Sequence, residues 1–325
     1  MNGRPRWSAD GFARRVRMSQ DDFWVIVEGR DHDRPHYENL LRALPSTRDK
    51  RFSIRLAESI ELNGRSAGGK RGALAIHDHL ETKGKLRTNN ASGTSTIVFM
   101  LDRDRDDVLG IMRTSPHIAY THATDVEADI LLNSDIWAAL RHAYGIDSAT
   151  AGLIKDKVPD PAKALLALWE EWLFLGLLAL LCERPHFAPW SRNSMVNFND
   201  FGAPEQSQVA EIKNRIETST DSAAYSKAHE QAGNHLNYYR DRLLKGRWLA
   251  KYMRHLVATH LAGEIVKGQV SPNAIVDTAL AGLRYSGDWV AHYETTFARF
   301  LTDPSMSTTS LTISKTTSEQ LQAAK

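Results

Sequence analysis

The chain has a single cysteine, Cys182, among its 325 residues. A disulfide framework and a cysteine-based zinc site within one chain are thereby excluded. A buried free thiol is the expectation for Cys182. Long apolar runs are missing as well. The longest, Trp172 to Cys182, is too short to span a bilayer, and Glu170, Glu171, Glu183 and Arg184 flank it. It reads as a buried core helix, with no membrane contact expected. The chain also lacks a large excess of one charge. Its formal net charge is +2, so a nucleic-acid surface must come from where the charges lie rather than from their sum. The N-terminus carries Arg4, Arg6, Arg14, Arg15 and Arg17 without a following apolar segment. No secretory signal is expected there, and a cytoplasmic location is.

What is present begins with a composition of 42% hydrophobic and 25% charged residues, that of a soluble globular protein. Two apolar runs each end in acid. Phe23-Trp24-Val25-Ile26-Val27 leads into Glu28-Gly29, and Thr96-Ile97-Val98-Phe99-Met100-Leu101 leads into Asp102-Arg103-Asp104-Arg105-Asp106. Short continuous runs rich in β-branched residues read as buried strands, usually parallel ones. Ligands of open α/β sheets bind outside the carboxyl ends of such strands. Carboxylates that converge there repel one another and raise each other's pKa. A hard divalent cation relieves that repulsion. Period-2 alternation would put Asp102 and Asp104 on the same side, were the strand to continue, with Asp106 extending the series.

The surrounding pattern alternates. Strands are expected at 23–28, 52–62, 96–101 and 117–121, and helices at 35–44, 73–81 and 106–113, with a polar loop over 88–94. Thr124-Asp125-Val126-Glu127 reads as a helix start. This order argues for a parallel sheet with helical crossovers. The expected divisions are a basic leader at 1–20 with an amphipathic helix at 10–18, an α/β domain at 21–135, and a helical region at 136–301. Within the last, helical spacing covers 130–145, 160–184, 205–217, 222–262 and 272–300, and 185–204 reads as an ordered loop. The Ser/Thr-rich segment 302–325 is expected to be disordered.

Val27-Glu28-Gly29 and Asp102-Arg103-Asp104 together resemble the TOPRIM fold, whose signature is a Glu after the first strand and a D-x-D after a later one. The resemblance sharpens toward the OLD-type, PARIS-effector-like branch linked to ATPase-associated bacterial anti-phage defence. Gly69-Lys70 is similar to that branch's Gly-Lys turn, and Thr124–Glu127 followed by Ile130-Leu131-Leu132 to its last element. Lys245-Gly246-Arg247 is similar to a basic-Gly-basic element of the same branch. The likeness covers residues 20–133. Asp33 and Tyr37 fall one position late, His36 replaces an aromatic, and Glu127 falls one residue close to Thr124.

The resemblance implies a nuclease that uses Mg²⁺, or Mn²⁺ in its place. Glu28, Asp102 and Asp104 would be catalytic, and with Asp106 would be the metal ligands. Asp33 and Glu127 would be supporting acids. It implies RNA such as tRNA, ahead of DNA, as substrate, an ATPase partner, and a toxic role in defence. A homodimer is left open.

Other features allow other readings. Residues 236–255 carry Arg240, Arg242, Lys245, Arg247, Lys251 and Arg254, with Tyr238, Tyr239, Trp248 and Tyr252 interleaved. A helix running through Gly246 would align Arg240, Arg247, Lys251 and Arg254 on one face for phosphate contact. Lys70 and Arg71 are further candidates for nucleic-acid contact. Gly64 to Lys70 also fits G-x-x-x-x-G-K, a phosphate-binding loop, although Arg71 stands where Ser or Thr should bind Mg²⁺. His77-Asp78-His79 reads as surface, since helical spacing makes the two imidazoles diverge. His32 and His36 lie four apart near Glu28, with Pro35 between them. The alternatives are therefore a non-catalytic docking subunit of an ATPase complex, or an NTP-binding protein.

Overall fold

The computed structural model describes residues 6–29, 31–190, 201–260 and 270–301. The segment 302–325, expected to be disordered, and half of the loop expected at 185–204 lie outside the described residues.

The protein is mixed α/β with a helical C-terminal region. The first part contains β1 (Trp7–Ser8), α1 (Ala9–Met18), β2 (Phe23–Val27), α2 (Asp33–Ala43), β3 (Phe52–Leu56), β4 (Ile60–Leu62), β5 (Arg65–Ser66), α3 (Gly69–Thr82), β6 (Arg87–Asn90), β7 (Gly93–Leu101), β8 (Ile118–Tyr120) and α4 (Val126–Leu132). The main sheet has the order β3-β2-β7-β6, and β8 also pairs with β7. Strands β3, β2, β7 and β8 are parallel, and β6 alone runs antiparallel to its neighbour. Strands β6 and β8 share one edge of β7, the first taking its N-terminal half and the second its C-terminal end.

Every residue of β2 is buried. Such a strand needs cover on both faces, and alternate side chains supply it. Phe23, Val25 and Val27 point into the larger core, with Val98, Met100, α2 and the C-terminal helices. Trp24 and Ile26 point the other way, with Ile97, Phe99, α1 and α3.

Three expected elements differ. The run 52–62 is not one strand. A 3₁₀ turn at Ala57–Ser59, closed by the Ser59 hydroxyl donating to the Leu56 carbonyl at 2.6 Å, diverts the chain. The second half joins a separate small sheet, where β4 pairs with β1 and β5. The polar loop expected at 88–94 is instead strand β6 and a tight hairpin into β7, turned by Gly93 at φ 125°. Polar side chains suit an edge strand with few cross-sheet neighbours, and they conceal the apolar signal that marks buried strands. Residues 106–110 form turns and 111–113 are irregular, rather than a helix.

The remaining helices are α5 (Ile136–Tyr144), α6 (Ser148–Lys157), α7 (Pro161–Leu168), α8 (Glu170–Leu181), α9 (Gln206–Thr218), α10 (Ser222–Tyr238), α11 (Gly246–His260), α12 (Pro272–Gly282) and α13 (Asp288–Leu301). Starts follow local chemistry. Asp160 caps α7 ahead of Pro161, and Ser271 caps α12 ahead of Pro272. No single helix among the described residues is long and apolar enough to cross a membrane, though the bent pair formed by 148–168 and 170–181 passes that test by length and composition together. Helix α8 is indeed a core helix, and Cys182 beside it is a buried free thiol.

The helical region is not a separate body. One continuous core runs from Phe23 in the sheet to Phe300 in the last helix. Phe297 of α13 lies 6.0 Å from Phe23 between ring centroids, and the Nε2 of His292 lies 3.0 Å from the Tyr120 carbonyl.

The described part of the expected leader, from residue 6 on, is packed into the fold, with its helix at Ala9–Met18. Phe12 and Val16 of α1 are fully buried, and Phe12 meets Trp24 edge-on with centroids 5.5 Å apart. Phe12→Ala should therefore destabilise the protein by about 3–5 kcal/mol, the usual loss for a buried aromatic. A urea melt reads this directly, and an unchanged midpoint would return α1 to the status of an appendage.

Candidate functional site

Parallel pairing sets Val27 opposite Met100. Glu28, one residue beyond that pair, and Asp102, two residues beyond it, therefore leave adjacent strands at the same end of the sheet. There the Glu28 Oε1 accepts the Asp102 backbone N–H at 2.5 Å. Asp102 is half-buried, and its Oδ1 accepts the Val126 N–H at the start of α4, at 3.3 Å. Burial holds the Asp102 carboxyl well above the usual range, and the carboxylates of Glu28, Asp125, Asp33 and Asp104 add to it. Burial likewise pushes Glu28 up to about 7, with Asp104 and Asp33 in the same direction and Lys70 opposing.

Further acids surround this pair. Asp33 is in the first turn of α2, and its Oδ2 accepts the Gly29 N–H at 2.8 Å. A Cβ at position 29 would collide with that carboxylate, so the V-E-G turn needs its glycine. Burial raises Asp33 to about 6. Asp125 caps α4 by accepting the Ala128 N–H at 2.8 Å, and also accepts the Gly246 N–H from α11 at 3.0 Å. It too is buried, which with the neighbouring Glu127 pushes it up to about 7. Gly246 packs against the Glu127–Ala128 backbone with no room for a Cβ. The glycine of Lys245-Gly246-Arg247 thus allows the helical region to close on the site.

Asp104 departs from the expected alternation. Strand β7 ends at Leu101, and Asp104 sits at φ 50°, in the left-handed region. Its side chain is turned between two cations. Lys70 donates to Oδ2 at 2.7 Å and Lys245 to Oδ1 at 2.9 Å. Burial alone would raise the Asp104 pKa, but these two ammoniums outweigh it and hold it low. Lys70 also donates to Asp106 at 3.1 Å. The intervening arginines point inward: Arg103 Nε donates to the Thr121 carbonyl at 3.0 Å, and the Arg105 guanidinium lies 5.2 Å from the Trp190 ring.

Glu127 belongs to the same neighbourhood through His32, whose Nδ1 lies 3.2 Å from the Glu127 Oε1. The other ring nitrogen lies 3.2 Å from the Asp277 carboxylate. Burial would lower the His32 pKa, and these carboxylates reverse that and raise it. His36 is different. It is fully buried beside Trp289 and Tyr285, neither ring nitrogen has a partner among the described residues, and burial drives it down to about 3.

The basic residues divide. Lys70 and Lys245 enter the cluster, whereas Arg71 is exposed outside it. Arg247 and Lys251 lie one turn apart on the exposed side of α11, with Arg247 close enough to Glu127 to lower its pKa. The single stripe expected for 236–255 does not form. Helix α10 ends at Tyr238, a 3₁₀ turn follows, and Arg240 instead bonds Glu170 at 2.7 Å. Gly64 to Lys70 is also unlike a phosphate-binding loop. The strand inside it, β5, is antiparallel to β4 and outside the main sheet, and Lys70 is held by acids.

Among the described residues, the group whose metal-ligating atoms all lie within 4.8 Å of one another is His77, Asp78 and Glu81. His77 is buried against Phe99 rather than exposed as expected. Its nitrogens face Asp78 at 3.1 Å and Ser115 at 3.0 Å, and Arg113 grips both Asp78 oxygens at 2.6 and 3.1 Å. These atoms already satisfy one another. Two acids important to the fold escaped the sequence reading. Asp129, pushed by burial up to about 6, accepts the Tyr293 hydroxyl and the His122 N–H, and Asp277 lies beside His32. Neither has a local signal, because their partners are remote in sequence.

A divalent cation fits the donor set at Glu28 and Asp102, since both are half-buried oxygen ligands whose charged forms desolvation disfavours. Asp104 and Asp106 would first have to exchange their lysine partners. The raised pKa of Glu28 has a consequence for stability. The folded state keeps a proton that the unfolded chain releases near pH 4.3, so stability is lost as pH rises from there through about 7. Glu28→Gln should therefore melt higher than the wild type at pH 8 in chelator, by roughly 3 kcal/mol, with the gap closing toward pH 4. Saturating Mg²⁺ should stabilise the wild type more than the variant. A variant no more stable than wild type at pH 8 would refute the uncompensated charge. Comparison with family models and with curated proteins finds no match.

Proposed function

We propose that the chain is a Mg²⁺-dependent nuclease of TOPRIM-like type, with Glu28 and Asp102 as its principal catalytic acids and Asp104 and Asp106 as auxiliary ligands. The observation that supports this most is the meeting of Glu28 and Asp102 at adjacent parallel strand ends, both half-buried, where desolvation raises the pKa of each. A divalent ion held there would supply a Lewis acid for the scissile phosphate and an acidified water. The protein's own part is separable. The Oε1 of Glu28 is occupied by the Asp102 N–H, which orients the carboxyl and leaves Oε2 to accept a proton. A carboxyl at about 7 is matched to proton transfer at neutral pH. Lys70 and Lys245 fix the Asp104 carboxylate and place positive charge where a phosphate would enter.

RNA such as tRNA, ahead of DNA, a cytoplasmic setting, a defence role and an ATPase partner complete the reading. Their support is the sequence resemblance. One observation favours the docking-subunit alternative: both oxygens of Asp104 are already taken by lysines, as in a self-neutralised structural cluster. Cleavage separates the two. Purified protein incubated with total RNA and plasmid DNA should yield shortened products with Mg²⁺ and none with chelator. Glu28→Gln and Asp102→Asn should each slow this by roughly 10²–10⁴-fold while circular dichroism stays unchanged. No cleavage by wild type, or equal cleavage by the variants, rejects the nuclease reading.

A further inference from the structure

The arginine-rich N-terminal segment has no role in the carboxylate site, yet the fold gives it a distinct surface. Side chains of β3 alternate. Ile54 turns into the larger core, while Ser53 and Arg55 face the α1 side. Strand β3 is the edge of the main sheet, and α1 packs over β2 and β7 rather than over this edge. A groove of about 440 Å³ remains between α1 and β3, lined by Trp7, Arg14, Arg15, Met18, Trp24 and Arg55.

Its chemistry is cationic and aromatic. The Arg15 guanidinium lies 5.0 Å from the Trp7 ring centroid. Arg55 lies 5.7 Å from Trp7 and 5.4 Å from Trp24. Arg14 and Arg15 are exposed and form no ion pair with a described residue. The Nε of Arg55 is buried without a hydrogen-bond partner among the described residues. Burial lowers the Arg55 pKa, and the nearby Arg15 and Arg34 charges add to it, against one weak opposing acid, Asp21. Crowded guanidiniums with an unfilled donor repel one another until an anion arrives. Met18, 83% exposed, adds an apolar wall at the mouth.

Position relates the groove to the carboxylates. Arg55 pairs with Ile26, two residues before Glu28, about 7 Å along the strand at the usual rise. Arg34, next to Asp33 of the acidic cluster, is close enough to Arg55 for its charge to lower the Arg55 pKa. A chain of anions lying in the groove would thus lead toward the carboxylate end of the sheet.

We propose that this groove binds the backbone of single-stranded nucleic acid, with Arg14, Arg15 and Arg55 on phosphates and the Trp7–Arg15 stack as a platform for an unpaired base. As a route to the cleavage site, the proposal rests on the nuclease reading; as a binding site it does not. The test is fluorescence anisotropy of the full chain with labelled 12-nucleotide oligouridylate in chelator, where cleavage cannot occur.

The variant Arg14→Glu/Arg15→Glu, at exposed positions, should weaken binding at least tenfold. It should also reduce the slope of log affinity against log salt by about 1.4, at 0.7 per lost contact to a single strand. Trp7→Ala should weaken it several-fold, with thermal melting used to show that both variants remain folded. Binding in chelator is read without cleavage, so a failed nuclease assay and a failed groove are distinguishable. Unchanged affinity in the folded double variant overturns the proposal. So does equal binding of a 12-base-pair duplex, or equal competition by polyglutamate. Capture on anionic phospholipid vesicles through the same arginines, without oligonucleotide binding, overturns it as well.

Discussion

The parallel pairing of β2 with β7 is the constraint on which the rest depends. Both strands are buried throughout the paired stretch and, Thr96 apart, apolar, and both faces of the sheet are covered. The register therefore cannot slip without carrying core side chains to the wrong face. That register brings Glu28 and Asp102 out at the same end of adjacent strands, two groups that electrostatics alone would keep apart. The hydrophobic effect, summed over the strands and the helices packed on them, holds them in place. The Asp102 N–H directed at Glu28 recovers part of the cost, and protonation accounts for more.

The neighbouring elements then divide the remaining charge. Lys70 from the start of α3 and Lys245 just ahead of α11 neutralise Asp104, and His32 sits between Glu127 and Asp277. These cations come from opposite ends of the chain. The helical region is therefore part of the site: it delivers Lys245, and the bare backbone of Gly246 lets it approach α4 closely enough to cap Asp125. Asp104 and Glu127 face cations, whereas Glu28, Asp102, Asp33 and Asp125 are held up by burial, and the first two of these carry the functional reading.

Much of this is legible from composition and pattern. Strands β2 and β7 announce themselves as short apolar runs, and the acids at their ends follow by adjacency. Helix α4 follows from an Asp cap, and the core helix α8 from its apolar stretch. What escaped has a common cause. Strand β6 is polar because it lies at an edge. The break between α10 and α11, which separates Arg240 from Arg247, is imposed by packing that no local residue advertises. Asp104 lies in the left-handed region because its side chain is drawn to two lysines remote in sequence. His77 is buried by contact with Phe99 and Ser115, which its helical neighbours do not reveal.

By itself, then, the sequence determined the α/β order, the two acid-tipped strands and the helical character of the second half. Each depends on periodicity and on short-range steric preference. Only the tertiary structure decided which acids face cations and which stand uncompensated, that α1 is core rather than leader, and that arginines on α1 and β3 share a groove. Those outcomes depend on the distance between groups far apart along the chain, and strand pairing and burial set such distances where local propensity cannot.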